Sequence, residues 1–427
     1  MVMGSIIGYD LNDFACQISY YNKELHEPET VEVTTNNYQI PLIIGIKNNS
    51  WLIGREAKKL STVKDGLTIA HLLSKSQNSE KIQVGDIVYD AVWLLSKFIE
   101  SSLRQFEKIE TIVFCLPEIN EDIAHMLKGI GQHIGIEKEK IYIQDYKESF
   151  CDYMFYQPKE LWQYEAALFY CDKKEVKAYM LKKLKTSGAK GQSTFVTVDA
   201  VADARMEELA FVYPVVDGDA AIKADERFKM LVESVFDKKI VSSVFLTGEG
   251  FENNWYPNSL RVLCNGRRAF LGNNLYSKGA CYRAYRESRE RLEGPTYLDE
   301  NKFTQQICMK MRINGQEEWF PIVTWGSHWY ESDKKWEVLL EDTEDIEFHV
   351  EFLSQRDLEV HRISLEGLPE RASYSMRMQV ETIFLDKNTC KIIMKDIGFG
   401  EFFPATDFQT EKIIQLGGTN GQFNSLS

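Results

Sequence analysis

Short hydrophobic runs broken by polar tips fill the first fifty positions: Ser5–Asp10, Ala15–Tyr21, Thr30–Thr34 and Pro41–Ile46. Runs this short, in series, predict strands in an antiparallel meander. The stretch NNSWLIGREAKKL then predicts a turn, a strand and a helix start. Val88, Ala91, Val92, Leu95, Phe98 and Ile99 recur at helical spacing, with Asp86 as the expected N-cap. The run TIVFCLP (Thr111–Pro117) is apolar throughout, the pattern of a parallel strand covered on both faces. Asn120 reads as the N-cap of a helix with Glu121 and Asp122 in its first turn and a stripe of Ile123, Met126, Leu127, Ile130 and Ile134. A strand over Lys140–Asp145 and a helix over Lys147–Gln157 extend this into a strand-helix series, which predicts an α/β layer.

From Ala166 the pattern predicts a hairpin about Asp172–Glu175, a strand at TFVTVDAV, an amphipathic helix over Asp225–Asp237 and a buried strand over Ser242–Gly250. A helix rich in Tyr and Arg is expected from about Lys278 to Leu292. Beyond Pro295 seven strand-like runs follow (QQICMKMRI, EWFPIVTW, WEVLLED, IEFHVEFL, EVHRISLEG, SMRMQVETIFL and CKIIMKDIGFG), which predict a β-sandwich or barrel. The closing GGTNGQFNSLS is expected to be a frayed tail. No tandem repeat is visible.

The 427 residues suggest roughly two or three domains. With 44% hydrophobic and 27% charged residues, the chain has the composition of a soluble globular protein. No apolar run approaches the ~20 residues of a membrane span, and the N-terminus lacks the basic flank and apolar stretch of a signal peptide, so a cytoplasmic location is expected. A net charge of −14 weighs against a nucleic-acid partner. The eight cysteines form no Cys-x-x-Cys pair and read as reduced core thiols, and His26, His125, His133, His349 and His361 show no metal-ligand spacing.

Several stretches, in this order, resemble the actin-like ATPase superfamily, and most closely the DnaK-type heat-shock chaperones. IIGYDLND resembles the first phosphate loop, which in that family reads Asp-x-Gly-Thr. YQIPLIIGIKNNSWLIGREAKK, the stretch from TIVFCLPEIN to DYMFYQ, SVFLTGEGF and LYSKGACYRAY are similar to successive later segments of the ATPase domain. QVETIFLDKNTCKIIMKDIGFGEFFPAT is similar to part of the chaperones' peptide-binding β-sandwich. The resemblance implies an α/β, two-lobed actin-like (ribonuclease-H-like) ATPase domain over about 1–294, with lobe I at about 1–160 and lobe II at about 161–294. An all-β sandwich over 295–416 and a flexible tail over 417–427 would follow, without the family's helical lid. It also implies ATP and magnesium as cofactors, and a peptide or protein partner for the sandwich.

The chemistry needs two hairpins whose glycine tips aim backbone N–H groups at the phosphates. By the resemblance Asp10 takes the acidic position that assists catalysis beside magnesium, and Asn12 and Asp13 occupy the cofactor-binding tip. Asn12 stands in place of the glycine, and Asp13 and Phe14 in place of the hydroxyl residues. An Asn-Asp tip still turns, but a carboxylate beside a phosphate needs a divalent cation between them. The second loop, Tyr170 to Glu175, holds no glycine; Lys173 or Lys174 would contact phosphate as a point charge or sit in an ordinary solvated turn. The resemblance places further cofactor contacts at Gly248, Glu249, Gly250 and Lys278, although glycine after a strand is also an ordinary turn. The catalytic lysine would fall near His71 or Lys75, and the family's glutamate near Asp145 or Tyr146.

Two functions follow. One is a DnaK-like protein that couples ATP and magnesium to partner binding; if it hydrolyses ATP, water attacks the γ-phosphate with the metal and Asp10 assisting. The other is a degenerate pseudo-ATPase acting as a scaffold or interaction module, which the loss of glycines in both loops favours over hydrolysis. A sugar or acetate kinase of the same superfamily is disfavoured by the C-terminal strands. Separately, Glu317, Glu318, His328 and Asp333 share a stretch with Trp319, Trp325, Trp329 and Trp336, which reads as a carbohydrate platform, a carboxylate pair or a sandwich core. No Gly-x-Ser-x-Gly, His-Glu-x-x-His or Walker-type loop is present.

Overall fold

A computed structural model describes residues 4–47, 50–60, 67–172, 175–184, 194–205, 218–289, 294–341, 343–353, 358–369, 371 and 375–416. The expected tail at 417–427 lies outside these residues. The fold is mixed α/β, and the chain divides into two units: Met1–Lys183 with Thr197–Pro295, and Leu184–Val196 with Thr296–Ser427.

In the first unit, two sheets repeat one strand order. β1 (Ser5–Leu11), β2 (Ala15–Asn22), β3 (Glu27–Thr30), β4 (Ile109–Leu116) and β5 (Ile141–Asp145) lie in the order β5-β4-β1-β2-β3. β6 (Glu165–Cys171), β7 (Glu175–Lys183), β8 (Phe195–Arg205), β9 (Val241–Thr247) and β10 (Arg268–Leu271) lie in the order β10-β9-β6-β7-β8, with β8 contributing from Thr197 onward. The first strand of each sheet pairs antiparallel with the second and parallel with the fourth, and the fourth pairs parallel with the fifth. Parallel neighbours need a crossover, and helices supply it.

Besides α1 (Leu72–Gln77), the first half has α2 (Ala91–Ser102) before β4, α3 (Glu121–His133) between β4 and β5, and α4 (Tyr146–Phe155) after β5. The second half has α5 (Asp219–Phe236), the short helix Pro257–Leu263 and α6 (Leu275–Glu287) at the matching points. β4, with neighbours on both sides and Thr111 to Leu116 buried, explains its unbroken apolar run.

Local caps account for the helix starts. Asn120 Oδ1 accepts from Ile123 N at 2.9 Å, as its position predicts. Asp86, by contrast, is not a cap. It sits with Gly85 (φ +60°) in the two-residue turn of a hairpin, Lys81–Val84 against Ile87–Asp90, so Val88 belongs to a strand and Asp90 caps α2 through Val92 N at 2.8 Å. α5 starts at Asp219, six residues before the expected Asp225. Asp225 is buried in mid-helix, and its carboxylate caps the next helix by accepting from Asn258 N at 2.7 Å and Ser259 N at 2.8 Å. α6 likewise begins at Leu275 rather than Lys278.

The two halves of this unit interlock through α4 and α6. α6 follows the second sheet yet packs on β1, β2 and β4 of the first. Phe150 and Tyr153 of α4 meet Phe245 of β9 in the second sheet. Two glycines permit the approach: a Cβ on Gly8 would overlap the Ser277 carbonyl and the Cys281 backbone, and one on Gly279 would overlap the Ser149 carbonyl. Arg283 pairs with Glu148 and Arg286 with Asp152 across the joint, and Tyr156 stacks on Tyr282 (4.2 Å, 5°).

The second unit holds two four-stranded antiparallel sheets. Its strands are β11 (Gln305–Ile313), β12 (Gln316–Val323), β13 (Lys334–Leu340), β14 (Asp345–Phe352), β15 (Glu359–Ser364), β16 (Met376–Asp386), β17 (Thr389–Asp396) and β18 (Gln409–Gln415). They order as β12-β11-β14-β15 and β13-β16-β17-β18, and inward residues of both sheets share one apolar cluster that includes Phe348, Val350, Val380 and Ile392. Seven of the strands match the expected runs. β18 was not among them, because its alternation of exposed Glu411 and Ile413 with buried Ile414 is brief.

Candidate functional site

The two hairpin tips that would form phosphate loops occupy equivalent points, between the first and second strands of the two sheets. At the first tip, Asn12 N donates to Ala15 O at 3.0 Å, while Asn12 Oδ1 accepts from Phe14 N at 2.9 Å and Ala15 N at 3.0 Å. At the second, Asp172 N donates to Glu175 O at 3.1 Å and Asp172 Oδ1 accepts from Glu175 N at 2.9 Å. One short polar side chain at the same topological position therefore accepts from backbone amides of each hairpin, Phe14 N and Ala15 N at the first and Glu175 N at the second. Lys173 and Lys174 lie outside the described residues.

Asp13 turns away from any such cradle. Its carboxylate accepts from Ser74 N and Ser74 Oγ, both at 3.0 Å, and lies 2.8 Å from His71 Nδ1. Asp13 is thus the cap of α1, whose preceding residue His71 adopts φ +57° and offers no cap of its own. Lys75, the other candidate near this point, pairs with Glu80 at 2.8 Å.

Asp10, next to last in β1, has 6% of its surface exposed. Tyr146 OH donates to its Oδ1 at 2.7 Å and accepts from Asn12 Nδ2 at 3.5 Å. Burial raises the Asp10 carboxyl to about 7, against the lowering effect of the Tyr146 hydrogen bond. The Tyr146 ring stacks on Tyr276 of α6 (3.8 Å, 6°), and both phenols are held well above their ordinary range by burial. The residue two places before Asp172, matching Asp10 in the first sheet, is Tyr170; its hydroxyl donates to Asp172 Oδ2 at 3.3 Å. Asp145 is the N-cap of α4 through Glu148 N at 2.7 Å.

Gly248 (φ +101°) and Gly250 follow β9. A Cβ on either would overlap Cys171, so both glycines serve the close packing of this loop on the second hairpin. Glu249 starts the 3-10 turn Glu249–Phe251 between them. Lys278 lies on α6, and its charge acts on Glu29 of β3 and on the Cys281 thiol. The structure therefore brings Asp10, Asn12 and Tyr146 together, and engages Asp13 at the start of α1. Tyr276 has no signal in the sequence beyond its place at the start of a Tyr-rich helix.

The tryptophan stretch of the second unit is dispersed. Trp319 stacks on His349 (3.4 Å), Trp325 packs against a small cluster with Phe195 and Leu298, and Trp329 and Trp336 pack on the main core. Glu317 pairs with Lys310 at 2.9 Å, and Asp333 accepts from Phe384 N at 2.8 Å.

With this geometry in hand, comparison with protein-family models finds one, the family of unknown function DUF5716, C-terminal, matching residues 27–300. The match covers more than half of the sequence. The chain belongs to this family. A second model, the domain of unknown function DUF8552, matches residues 302–416, the stretch that holds both sheets of the second unit. No curated protein matches the chain. Tyr146, Asp172, Gly248 and Tyr276 lie inside the DUF5716 match, whereas Asp10, Asn12 and Asp13 precede it.

Proposed function

We propose that the first unit is a two-lobed, actin-like fold related to the DnaK ATPase domain that no longer turns over nucleotide. The second unit is then a β-sandwich, and the chain serves in the cytoplasm as a scaffold or protein-interaction module. The repeated strand order with the exchanged helices α4 and α6 supports the two-lobed reading. Two antiparallel sheets around one apolar cluster support the sandwich, which would offer its surface to a peptide or protein partner.

The observation that carries the loss of chemistry is the sealed first tip, where Asn12 accepts from the Phe14 and Ala15 amides. Phosphate binding on such hairpins depends on free backbone N–H groups. Here Asn12 accepts from Phe14 N and Ala15 N, Asp172 accepts from Glu175 N, both carboxylate oxygens of Asp13 are engaged by α1, and Tyr146 donates to Asp10. These groups do not fit a triphosphate and its magnesium ion. Calorimetric titration of the full chain with ATP and magnesium tests the reading. No heat is expected at high micromolar nucleotide; a magnesium-dependent signal abolished by Asp10→Ala overturns it.

A further inference from the structure

At the edge of the second sheet a cavity of about 340 Å³ opens between three segments of the first unit. Ser243 Oγ donates to Leu161 O at 2.5 Å, which ties the 3-10 turn Lys159–Leu161 to β9. β10 lies beside β9 with Arg268 opposite Ser243. Gly266 (φ +71°) turns the chain between the short helix Pro257–Leu263 and β10, a conformation that glycine adopts without strain. Glu160, Ser242, Cys264, Arg267 and Arg268 thereby line the cavity. Its size suits a molecule rather than a bare ion, because a water takes about 30 Å³ of liquid and pockets for small molecules begin near 300 Å³.

The cationic groups of the cavity are not neutralised by carboxylates of the protein. Arg267 Nη1 donates to Val262 O at 2.9 Å, and its guanidinium carbon lies 4.1 Å from the Phe236 ring centroid. These contacts fix the side chain and leave the other N–H groups of the fork for a ligand. Among the described residues neither Arg267 nor Arg268 forms an ion pair, and Glu160 pairs with no cation. Ser242 Oγ accepts from Tyr164 N at 2.9 Å, so its own proton remains to be donated.

Two guanidinium groups and a hydroxyl donor match an oxyanion with several acceptor oxygens. A phosphate monoester carries about −1.5 to −2 at pH 7, the charge that two arginines balance. Glu160 opposes a second anionic group on the same ligand and accepts a hydrogen bond from a hydroxyl. We propose that this cavity binds a small hydroxylated phosphate monoester, its phosphate on Arg267, Arg268 and Ser242 and a hydroxyl directed to Glu160. The site is separate from the two hairpin tips, and the inference holds whether or not those tips bind nucleotide.

Cys264 makes the site testable in the full chain. It is exposed and lines the cavity, whereas the other seven cysteines are buried. Its alkylation by iodoacetamide, followed by mass spectrometry, therefore reads occupancy. Glycerol 3-phosphate is expected to slow alkylation, inorganic phosphate to do so more weakly, and glycerol or the carboxylate glycerate to have little effect. Arg268→Gln is expected to raise the concentration of glycerol 3-phosphate needed for protection about tenfold, the loss of one charge-assisted contact. Arg268 is exposed and its side chain has no partner among the described residues, so this variant keeps the fold. Glu160→Gln is expected to narrow the preference for glycerol 3-phosphate over inorganic phosphate. No protection by glycerol 3-phosphate, equal protection by glycerate, glycerol or inorganic phosphate, or no effect of Arg268→Gln overturns the proposal.

Discussion

The hydroxyl of Tyr146 donates to the carboxylate of Asp10 at 2.7 Å, joining the start of α4 to β1 across 136 positions of sequence. The same hydroxyl accepts from Asn12 Nδ2 at 3.5 Å. Asp10 is thus left with a neutral donor, and burial holds the carboxyl up at about 7.

Stability should therefore depend on pH through Asp10. The folded value is raised above the unfolded one, near 3.8, so the folded state binds this proton more tightly. The resulting stabilisation is complete below about pH 4 and is lost as pH rises through about 7. Asp10→Asn should raise the thermal midpoint by roughly 5 °C or more at pH 8 and leave it unchanged at pH 4. A melting series over that range checks this; equal gains at both pH values would exclude Asp10 as the source.

Asp13 should matter to α1 and to nothing ligand-related. Asp13→Ala removes the acceptor of Ser74 N and Ser74 Oγ and should cost about 0.5–2 kcal/mol in chemical denaturation. Hydrogen exchange should speed up within Leu72–Gln77 first.

The joint between α4 and α6 offers a steric contrast. Gly8→Ala drives a methyl group into the α6 backbone and should cost at the upper end of about 1–3 kcal/mol or more. Gly129→Ala, in α3 with open space around it, should stabilise by up to ~1 kcal/mol. Denaturation midpoints of the two variants should move in opposite directions.

Arg286→Met should be among the most damaging substitutions in the first unit. It leaves the buried carboxylate of Asp152 without its Arg286 partner, at a cost of about 3–5 kcal/mol. The double variant Arg286→Met, Asp152→Leu removes both charges and should recover most of that loss. A double variant no better than Arg286→Met alone would show that packing, not charge, governs the site.

The sequence by itself determined much of the local structure. The apolar run of β4, the alternation of the C-terminal strands, the Asn120 cap and both hairpin tips are encoded within a few residues of where they act, because periodicity and capping are short-range. The missing glycines of the two tips were legible for the same reason. Tertiary structure alone decided which residues meet. The repeated strand order leaves no trace as a sequence repeat, since burial constrains polarity rather than identity. Asp13 reaches Ser74 across 61 positions, and Gly8 is a glycine because α6 crosses its strand. Such pairings are selected by close packing and by the need of buried polar groups for partners, and neither is written in local spacing.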